Sequence, residues 1–600
     1  MKGRLLYLVR CFLLTLLTFI AAKVVFMLCH ATDHPFTAGD LFDVIWHGLS
    51  LDFSTALYFL IVPFLLTIAS QWLRISRKVF YGYYVLIATA FILAFVADTS
   101  LYAFWQFKLD ATCLSFLETP TEAMASVSTG YLCVRLLLVV VLTALLAGLY
   151  IRIAGTPLHG HGSWAELLLG VLLIPCFVIG LRGGVEESTT NIGQVYYSSN
   201  QFLNHSAVNP VFSFLYSLDK SGDYLEEYTF YDDKECSQLT EGIFNTLSKD
   251  ADTLLNTSRP NILLIVMESC GGQFTEIGGH ADITPRLNQL TREGVYFTEC
   301  YANSWRTDRG CVSILSGYPA FPVTSVMKIP EKSRKLPSLA RSLSQEGYAC
   351  SFLYGGDINF TNMRSYVMSS GYSRLTWKAD YSMQEQISAK WGVEDGIMSK
   401  TVLQQISQQA ASPWMVTWLT LSSHEPWDVP EKHLDDEVFN AFYYMDSCIG
   451  QLIDQLKRSP AWKDLLVIIL PDHGYRYKGI NETTRLFNHI PMIWVGGAVK
   501  APRRIDRLCN QSDLAATLLG QLRLKHDEYT FSRDIMSSSY QRQMAYHTYV
   551  GGVTMFDSTG FMSYDFDFQR FVATEGSDSL RLLRTGKAIL QLTSHDLMNK

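Results

Sequence analysis

Charge is scarce in this 600-residue chain: only 18% of its residues are Asp, Glu, Lys or Arg, against 48% hydrophobic. The formal net charge is -7 and no basic stripe is visible. Both argue against nucleic acid as a partner, since nucleic-acid-binding domains ordinarily carry such a stripe. No CxxC pair occurs among the 12 cysteines, and seven of them (Cys236, Cys270, Cys300, Cys311, Cys350, Cys448 and Cys509) follow residue 181. Seven is odd, so no disulfide pairing can be deduced from spacing. Internal repeats and low-complexity segments are also missing, so the length reads as more than one domain.

The apolar excess sits at the front. Leu5 to Met27, Leu57 to Leu73, Val79 to Ala97, Leu132 to Leu149 and Ala165 to Leu181 are each about long enough to cross a bilayer core, which takes roughly 17 to 25 residues. The first stretch competes with a cleaved signal peptide, but it is long, contains Arg10 and Lys23, and precedes four similar segments. Residues 1–181 are therefore expected to be a five-span α-helical membrane domain, integral to the membrane. Lys2, Arg4, Arg74, Arg77, Lys78 and Arg152 flank the spans on one side if the N-terminus is cytoplasmic. The other loops carry Asp33, Asp40, Asp43, Asp98, Asp110, Glu118 and Glu122, with Lys108 the main basic exception. An odd number of spans then places everything after Leu181 outside the cytoplasm. Asp52 and Asp98 read as lying towards span ends, where a carboxylate stays hydrated, which disfavours a transporter.

Residues 182–259 are polar, but Tyr196, Tyr197, Phe202, Phe212, Phe214 and Tyr216 make the stretch too aromatic for a flexible linker. Packed juxtamembrane helices are expected. Residues 260–600 alternate strand-like and helix-like segments, the pattern of a mainly parallel sheet flanked by helices. Ile283 to Gly294 reads as a helix with Thr284 as cap and Pro285 at its first position. Leu336 to Glu346 is read as another. The tail from Ala545 to Val572 reads as a small antiparallel section with a turn at Asp557 to Gly560.

Two strand-like runs end at hard ligands. Asn261-Ile-Leu-Leu-Ile-Val-Met stops at Glu268, and Leu466-Val-Ile-Ile-Leu-Pro stops at Asp472-His473-Gly474. Open α/β sheets bind ligands beyond the carboxyl ends of their strands, so these residues can converge despite their separation in sequence. Two carboxylates and an imidazole suit Mn²⁺ or Zn²⁺ better than Ca²⁺ or Mg²⁺. Thr307, in Trp305-Arg-Thr-Asp-Arg-Gly310, precedes a helix-like run and would sit where backbone amides stabilise anions. A hydroxyl coordinated to a divalent cation there becomes a nucleophile. Taken singly, such a Thr is ordinarily a helix cap and such an Asp-His-Gly a turn.

The ordered set resembles the motifs of lipoteichoic acid synthases and related phosphoglycerol transferases, of the alkaline phosphatase and sulfatase superfamily. The likeness is carried by Glu268 in Val-Met-Glu-Ser, Thr307 in Arg-Thr-Asp-Arg-Gly, His424 in Ser-Ser-His-Glu-Pro, and Asp472-His473-Gly474. Thr284-Pro-Arg-Leu-Asn, Leu315-Ser-Gly-Tyr-Pro319 and Trp391-Gly-Val-Glu-Asp395 add to it. It covers roughly Pro260 to Asp534.

The resemblance implies a sulfatase-like α/β domain behind the membrane helices, in a bacterial-type plasma (inner) membrane. One divalent ion, most commonly Mn²⁺ with Zn²⁺ or Mg²⁺ as alternatives, would be held by Glu268, Thr307, Asp472 and His473. Thr307 would attack a membrane phospholipid donor, and the phosphoglycerol-type headgroup would pass through a phospho-threonine to a glycan, glycolipid or polymer acceptor. His424 would hold the headgroup or shuttle a proton. Arg306 and Arg309 either steady phosphate charge or are solvated or paired with Asp308. His489 either serves the phosphate or a second metal, or packs against the sheet. Asp357 and Arg364 fall where the Gram-positive synthases place a headgroup-binding segment, but Thr361 and Met363 replace that pattern's Trp and Arg.

Three other functions compete. A phosphoethanolamine transferase shares spans, nucleophile and metal site but ordinarily offers more histidines around the metal. A sulfatase needs a Cys or Ser in a Cys/Ser-x-Pro-x-Arg setting, and the residues after Thr307 are Asp-Arg-Gly-Cys. A catalytically dead membrane-tethered binding protein would not need nucleophile and ligands at all matching positions.

Overall fold

The computed structural model describes residues 2–105, 108–110, 113, 129–157, 164–186, 188–198, 200–220, 228–244, 252–409 and 413–600. Glu118, Glu122 and parts of the 182–259 stretch lie outside them. The chain divides into two compact units, Met1–Gly222 and Asp223–Lys600.

Among the described residues of the first unit, five helices are long and apolar enough to cross a membrane. They are α1 (Lys2–Cys29), α2 (Ala38–Ala69), α3 (Arg77–Trp105), α4 (Thr129–Leu149) and α5 (Trp164–Arg182). α4 continues into a π-helical turn at Tyr150–Ala154. Aromatic side chains fill much of the core, with Phe19, Tyr84, Phe91 and Tyr150 almost wholly buried. This is a multi-pass membrane protein. Two short helices, α6 (Gln201–Ala207) and α7 (Pro210–Lys220), pack into the same unit, and nearly every described residue from Phe202 to Ser213 is buried.

The second span differs from the sequence reading. α2 begins at Ala38, far ahead of Leu57, with a capping box between Thr37 and Asp40. Asp52 is not hydrated at a span end but fully buried within the helix. Lys23 of α1 donates to its carboxylate and to the Gly48 carbonyl at 3.1 Å, and the Asn209 amide donates to Asp52 Oδ1 at 2.9 Å. Asp98 is likewise buried, ion-paired with Lys108 and accepting the Leu109 amide at 2.9 Å. A carboxylate persists away from water only when paired and hydrogen-bonded, and each of these has found a lysine.

In the second unit α8 (Asp233–Thr240) precedes the sheet. The first sheet strands are β1 (Asn261–Met267), β2 (Val295–Tyr301), β3 (Ala349–Tyr354), β4 (Arg374–Trp377), β5 (Trp414–Leu419) and β6 (Leu465–Pro471). β7 (His489–Val495), β8 (Arg503–Ile505) and β9 (Cys509–Asn510) complete it. The strand order is β4-β3-β5-β1-β6-β7-β2-β8, with β9 also on β2. Pairing is parallel from β4 through β6, while β7 runs antiparallel to both its neighbours, so the sheet is mixed.

β1 shows why these runs are strands: Ile262, Leu264 and Val266 enter the apolar cluster on one face, Leu263, Ile265 and Met267 that on the other. A strand buried on both faces reads as a continuous apolar run. The flanking helices include α9 (Pro285–Glu293), α10 (Thr307–Ser316), α11 (Asp395–Ser407) and α12 (Glu437–Lys457). Thr284 occupies the cap position of α9, but its hydroxyl donates instead to the Phe274 carbonyl at 3.0 Å. Asp446 of α12 takes over, accepting the amides of Arg286 at 2.8 Å and Leu287 at 2.7 Å. The helix read as Leu336 to Glu346 is confined to Leu339–Gln345.

The tail forms a four-stranded antiparallel sheet of β10 (Met544–Tyr549), β11 (Gly552–Asp557), β12 (Gly560–Asp565) and β13 (Arg570–Gly576). Asp557 accepts the Thr559 amide at 2.8 Å in the turn between β11 and β12. A final helix, α13 (Ser579–Asn599), was not anticipated from the sequence; it packs on this sheet through a buried face that includes Leu582, Ile589 and Leu590.

Candidate active site

β1 and β6 are parallel neighbours, and their register pairs Met267 with Pro471. The residues that follow, Glu268 and Asp472, therefore leave the sheet side by side at its carboxyl edge. Ser269 takes a left-handed conformation, φ 59°, and its amide donates to Asp472 Oδ1 at 2.8 Å. A non-glycine residue in that region costs of order 1–3 kcal/mol and persists where its surroundings over-determine it. Here the Ser269 hydroxyl also donates to Glu268 Oε1 at 2.8 Å, and the Ser423 hydroxyl, from the loop after β5, to the Glu268 carbonyl at 2.7 Å.

The third element is α10. Thr307 is its first residue, with Arg306 as an extended N-cap that makes no side-chain capping bond. Its hydroxyl lies 3.1 Å from Glu268 Oε2 and 3.3 Å from His473 Nε2. Gly310 makes the approach possible: a Cβ there would lie 2.9 Å from the carbonyl carbon of Asp472 and 3.1 Å from its Cα, and nearer still to its carbonyl oxygen. The helix rests directly on the backbone of Asp472.

The donor set fits a divalent cation. Glu268, Asp472 and His473 are buried and offer ligand atoms within 4.8 Å of one another. Among the described residues, Asp472 Oδ2 is buried with no hydrogen-bond partner. His473 Nδ1 donates to the Gly474 carbonyl at 2.7 Å, which leaves the Nε2 lone pair facing Asp472 Oδ2 at 3.4 Å and Glu268 Oε1 at 3.7 Å. Lone pairs converging in a buried space are repulsive unless a cation or a proton lies between them. Burial, then the charge of Glu268, pushes the Asp472 carboxyl up to about 7. Burial also raises Glu268, but the charges of His424 and His473 and the hydroxyls of Ser269 and Thr307 outweigh it and hold that carboxyl below its ordinary value.

These residues open into a cleft of about 560 Å³ whose lining includes Arg306, Thr307, Tyr354, Trp391, His424 and Arg476. His424 packs on Trp391 at 4.6 Å between ring centroids, and its Nδ1 lies 2.8 Å from the Glu425 carbonyl. Of the candidate substrate residues, only Arg306 lines the cleft.

Arg309 turns inward, donating to the carbonyls of Phe321 at 3.4 Å and Val323 at 2.6 Å and pairing with Asp308 at 3.3 Å. Asp357 Oδ1 accepts the backbone and side-chain amides of Asn359, each at 3.0 Å, and Arg364 lies over the Trp377 ring. Their neighbours Phe360, Thr361 and Met363 line the cleft instead, and Thr361 and Asn362 are consecutive left-handed residues. His489 is held by the Thr298 carbonyl at 2.7 Å and stacked on Tyr301; it lines a separate groove of about 930 Å³.

Sequence reading passed over Ser269 and Gln511. The buried Gln511 amide donates to the carbonyls of Pro471 at 3.1 Å and Asp472 at 2.9 Å, while its oxygen accepts the Asn303 amide at 2.6 Å. It thus ties the end of β6 to the loop leading into α10, and no local motif marks it.

Fold and site together define an α/β sulfatase-like domain behind five apolar helices. Residues 260–524 match the Sulfatase family. Among curated proteins the chain is similar to Lipoteichoic acid synthase 2 of Bacillus subtilis, 21% identical over 312 residues, covering 47% of this chain and 48% of that protein. It is also similar to Phosphoglycerol transferase I of Xanthomonas campestris pv. campestris, 22% identical over 304 residues, covering 47% of this chain and 43% of that protein. The match thus spans about half the length of these relatives.

The fold is shared with a solved alkaline phosphatase superfamily protein from Vibrio parahaemolyticus, at TM-score 0.55 and 25% identity over 62% of this chain and 98% of that one. A lipoteichoic acid synthase from Listeria monocytogenes superposes at TM-score 0.51 and 18% identity over 61% of this chain and 98% of that one.

Proposed function

We propose that this chain is a membrane-anchored, metal-dependent transferase that moves a phosphoglycerol-type headgroup from a phospholipid to an extracytoplasmic acceptor. The observation that carries the reading is the position of the Thr307 hydroxyl, 3.1 Å from Glu268 and 3.3 Å from His473 at a helix N-terminus and facing an aromatic-lined cleft. Relatives named as a lipoteichoic acid synthase and phosphoglycerol transferases support it.

Glu268, Asp472, His473 and Thr307 would hold one divalent ion, Mn²⁺ by preference. When bound, the ion lowers the hydroxyl pKa and offsets phosphate charge. The Thr307 oxygen attacks the phosphodiester; its bond to phosphorus forms as the bond to the diacylglycerol oxygen breaks. The Thr307 hydroxyl proton passes to water or to His424, and the diacylglycerol oxygen takes up a proton from the same source. An acceptor hydroxyl then displaces the phosphoryl group from Thr307. The first turn of α10 and the Arg306 guanidinium face the anionic group. His424, braced by Trp391, holds the headgroup or moves the proton.

The basic residues beside the spans orient the catalytic unit outside the cytoplasm. The test is diacylglycerol release by the purified full chain with Mn²⁺, given labelled phosphatidylglycerol or phosphatidylethanolamine. Release from the first donor alone is expected. Release from the second alone reverses the headgroup, and release from neither overturns the reading.

A further inference from the structure

Several large apolar side chains of the second unit are exposed, and two of them, Phe360 and Val550, line the cleft. Met383 and Ile387 are each 75% exposed. They lie on and just after a four-residue helix, Met383–Gln386, and Ile387 precedes Trp391 of the cleft wall by four residues. Phe360, 42% exposed, lines the cleft and packs on Trp391 at 6.0 Å. Others come from the C-terminal sheet. Val550, 63% exposed, lines the cleft from the turn between β10 and β11. Phe568, 70% exposed, lies in the turn between β12 and β13. These turns are neighbours, since the Phe566 amide donates to the Gly551 carbonyl at 2.7 Å.

We infer that this rim is a membrane-dipping surface: Phe360, Met383, Ile387, Val550 and Phe568 insert into the bilayer leaflet and open the cleft directly onto lipid. The inference rests on the proposed use of a phospholipid donor. Apolar side chains exposed to this degree in clusters mark interaction sites, whereas singly they would be ordinary. The occupant is lipid because the chain is tied to its own membrane helices and Phe360 and Val550 line the cleft that would receive the headgroup. The charges nearby suit an interface as well. Arg570 covers the Phe568 ring and Lys390 adjoins Trp391, both placed to meet anionic headgroups, while Arg476 in the cleft is paired with Glu482. Glu385 folds back to cap its own short helix, and Asp565 accepts the Phe568 amide at 2.9 Å.

Two measurements on the full chain in vesicles of phosphatidylglycerol and phosphatidylethanolamine test this. In the first, a variant carrying Met383→Ser, Ile387→Ser and Phe568→Ser is compared with wild type on the bilayer-borne phospholipid and on a water-soluble phosphodiester. The expected result is a loss of about tenfold or more on the bilayer donor with the soluble substrate unaffected. An equal change on both substrates, or on neither, overturns the inference. In the second, Ile387→Trp or Phe568→Trp is placed in vesicles with brominated acyl chains. The emission these variants add over wild type is expected to be quenched; unquenched emission overturns the inference whether or not the protein turns over a donor. Absent turnover with quenched tryptophans would sink the headgroup-transfer reading and leave the membrane-dipping surface standing.

Discussion

Replacing Gly310 with alanine tests how closely the helix that carries Thr307 is bound to the end of β6. The new Cβ would lie 2.9 Å from the Asp472 carbonyl carbon and 3.1 Å from its Cα, closer than the 3.4 Å at which ordinary contact begins, and the carbonyl oxygen would be closer still. The obstacle is backbone at the end of a central strand, so α10 must retreat, by about 1 Å. Thr307 is three residues from Gly310 on the same helix and moves with it. Its hydroxyl, now 3.1 Å from Glu268 and 3.3 Å from His473, would withdraw by a similar distance. Misplacing a reacting group by about 1 Å costs on the order of 10²-fold in rate, and overpacking a core costs about 1–3 kcal/mol. Gly310→Ala is therefore expected to retain a cooperative melt a few degrees below wild type while diacylglycerol release falls about a hundredfold. A variant that melts normally and turns over within about twofold of wild type would refute the close-approach argument.

Three further outcomes follow from named contacts. Removing metal with a chelator is expected to abolish turnover, and adding Mn²⁺ in excess of its dissociation constant to raise the melting temperature of wild type but not of Asp472→Asn; about 2.7 kcal/mol is available at a hundredfold excess. Lys23→Met alone strands a buried Asp52, and cost of order 3–5 kcal/mol is expected in detergent-solubilised protein; adding Asp52→Leu is expected to recover most of it, whereas additive losses would contradict the pairing. His547 is buried, its Nδ1 3.0 Å from the Ala302 carbonyl, and burial lowers its pKa from 6.5 to about 3. The neutral ring is the folded form, so its contribution is present above 6.5 and is lost at roughly 1.4 kcal/mol per pH unit as pH falls from 6.5 towards 3; His547→Asn should flatten that part of the stability curve.

What could be read beforehand was whatever depends on neighbours in sequence. β1 and β6 are legible because strands buried on both faces have no polar alternation to hide them, and α9 because Pro285 and Gly294 bracket it. The reversal of β7 was not legible, since strand direction depends on a connection, not a pattern. Nor was the start of α2, where Asp40 reads as a loop residue and Asp52 as a hydrated residue at a span end until Lys23 and the capping box are seen.

The site divides the same way. Glu268, Thr307, Asp472 and His473 stand at the ends of recognisable elements; the register of β1 with β6 and the close approach of α10 at Gly310 bring them together. Arg309 and His489 are decided by carbonyls: Phe321 and Val323 for the first, Thr298 for the second. The Thr298 carbonyl is 191 residues from its imidazole. Gln511 has no motif because its work, holding two carbonyls at the end of β6, uses only an amide.

The central claim is that Thr307 carries the headgroup. Full-length protein incubated with Mn²⁺ and headgroup-labelled phosphatidylglycerol, without acceptor, can be acid-quenched, digested and read by mass spectrometry. A phosphoglycerol adduct is expected on the peptide containing Thr307, chased off by acceptor and absent, together with diacylglycerol release, from Thr307→Ala. Diacylglycerol release by Thr307→Ala at the wild-type rate, with no adduct in either protein, would contradict it.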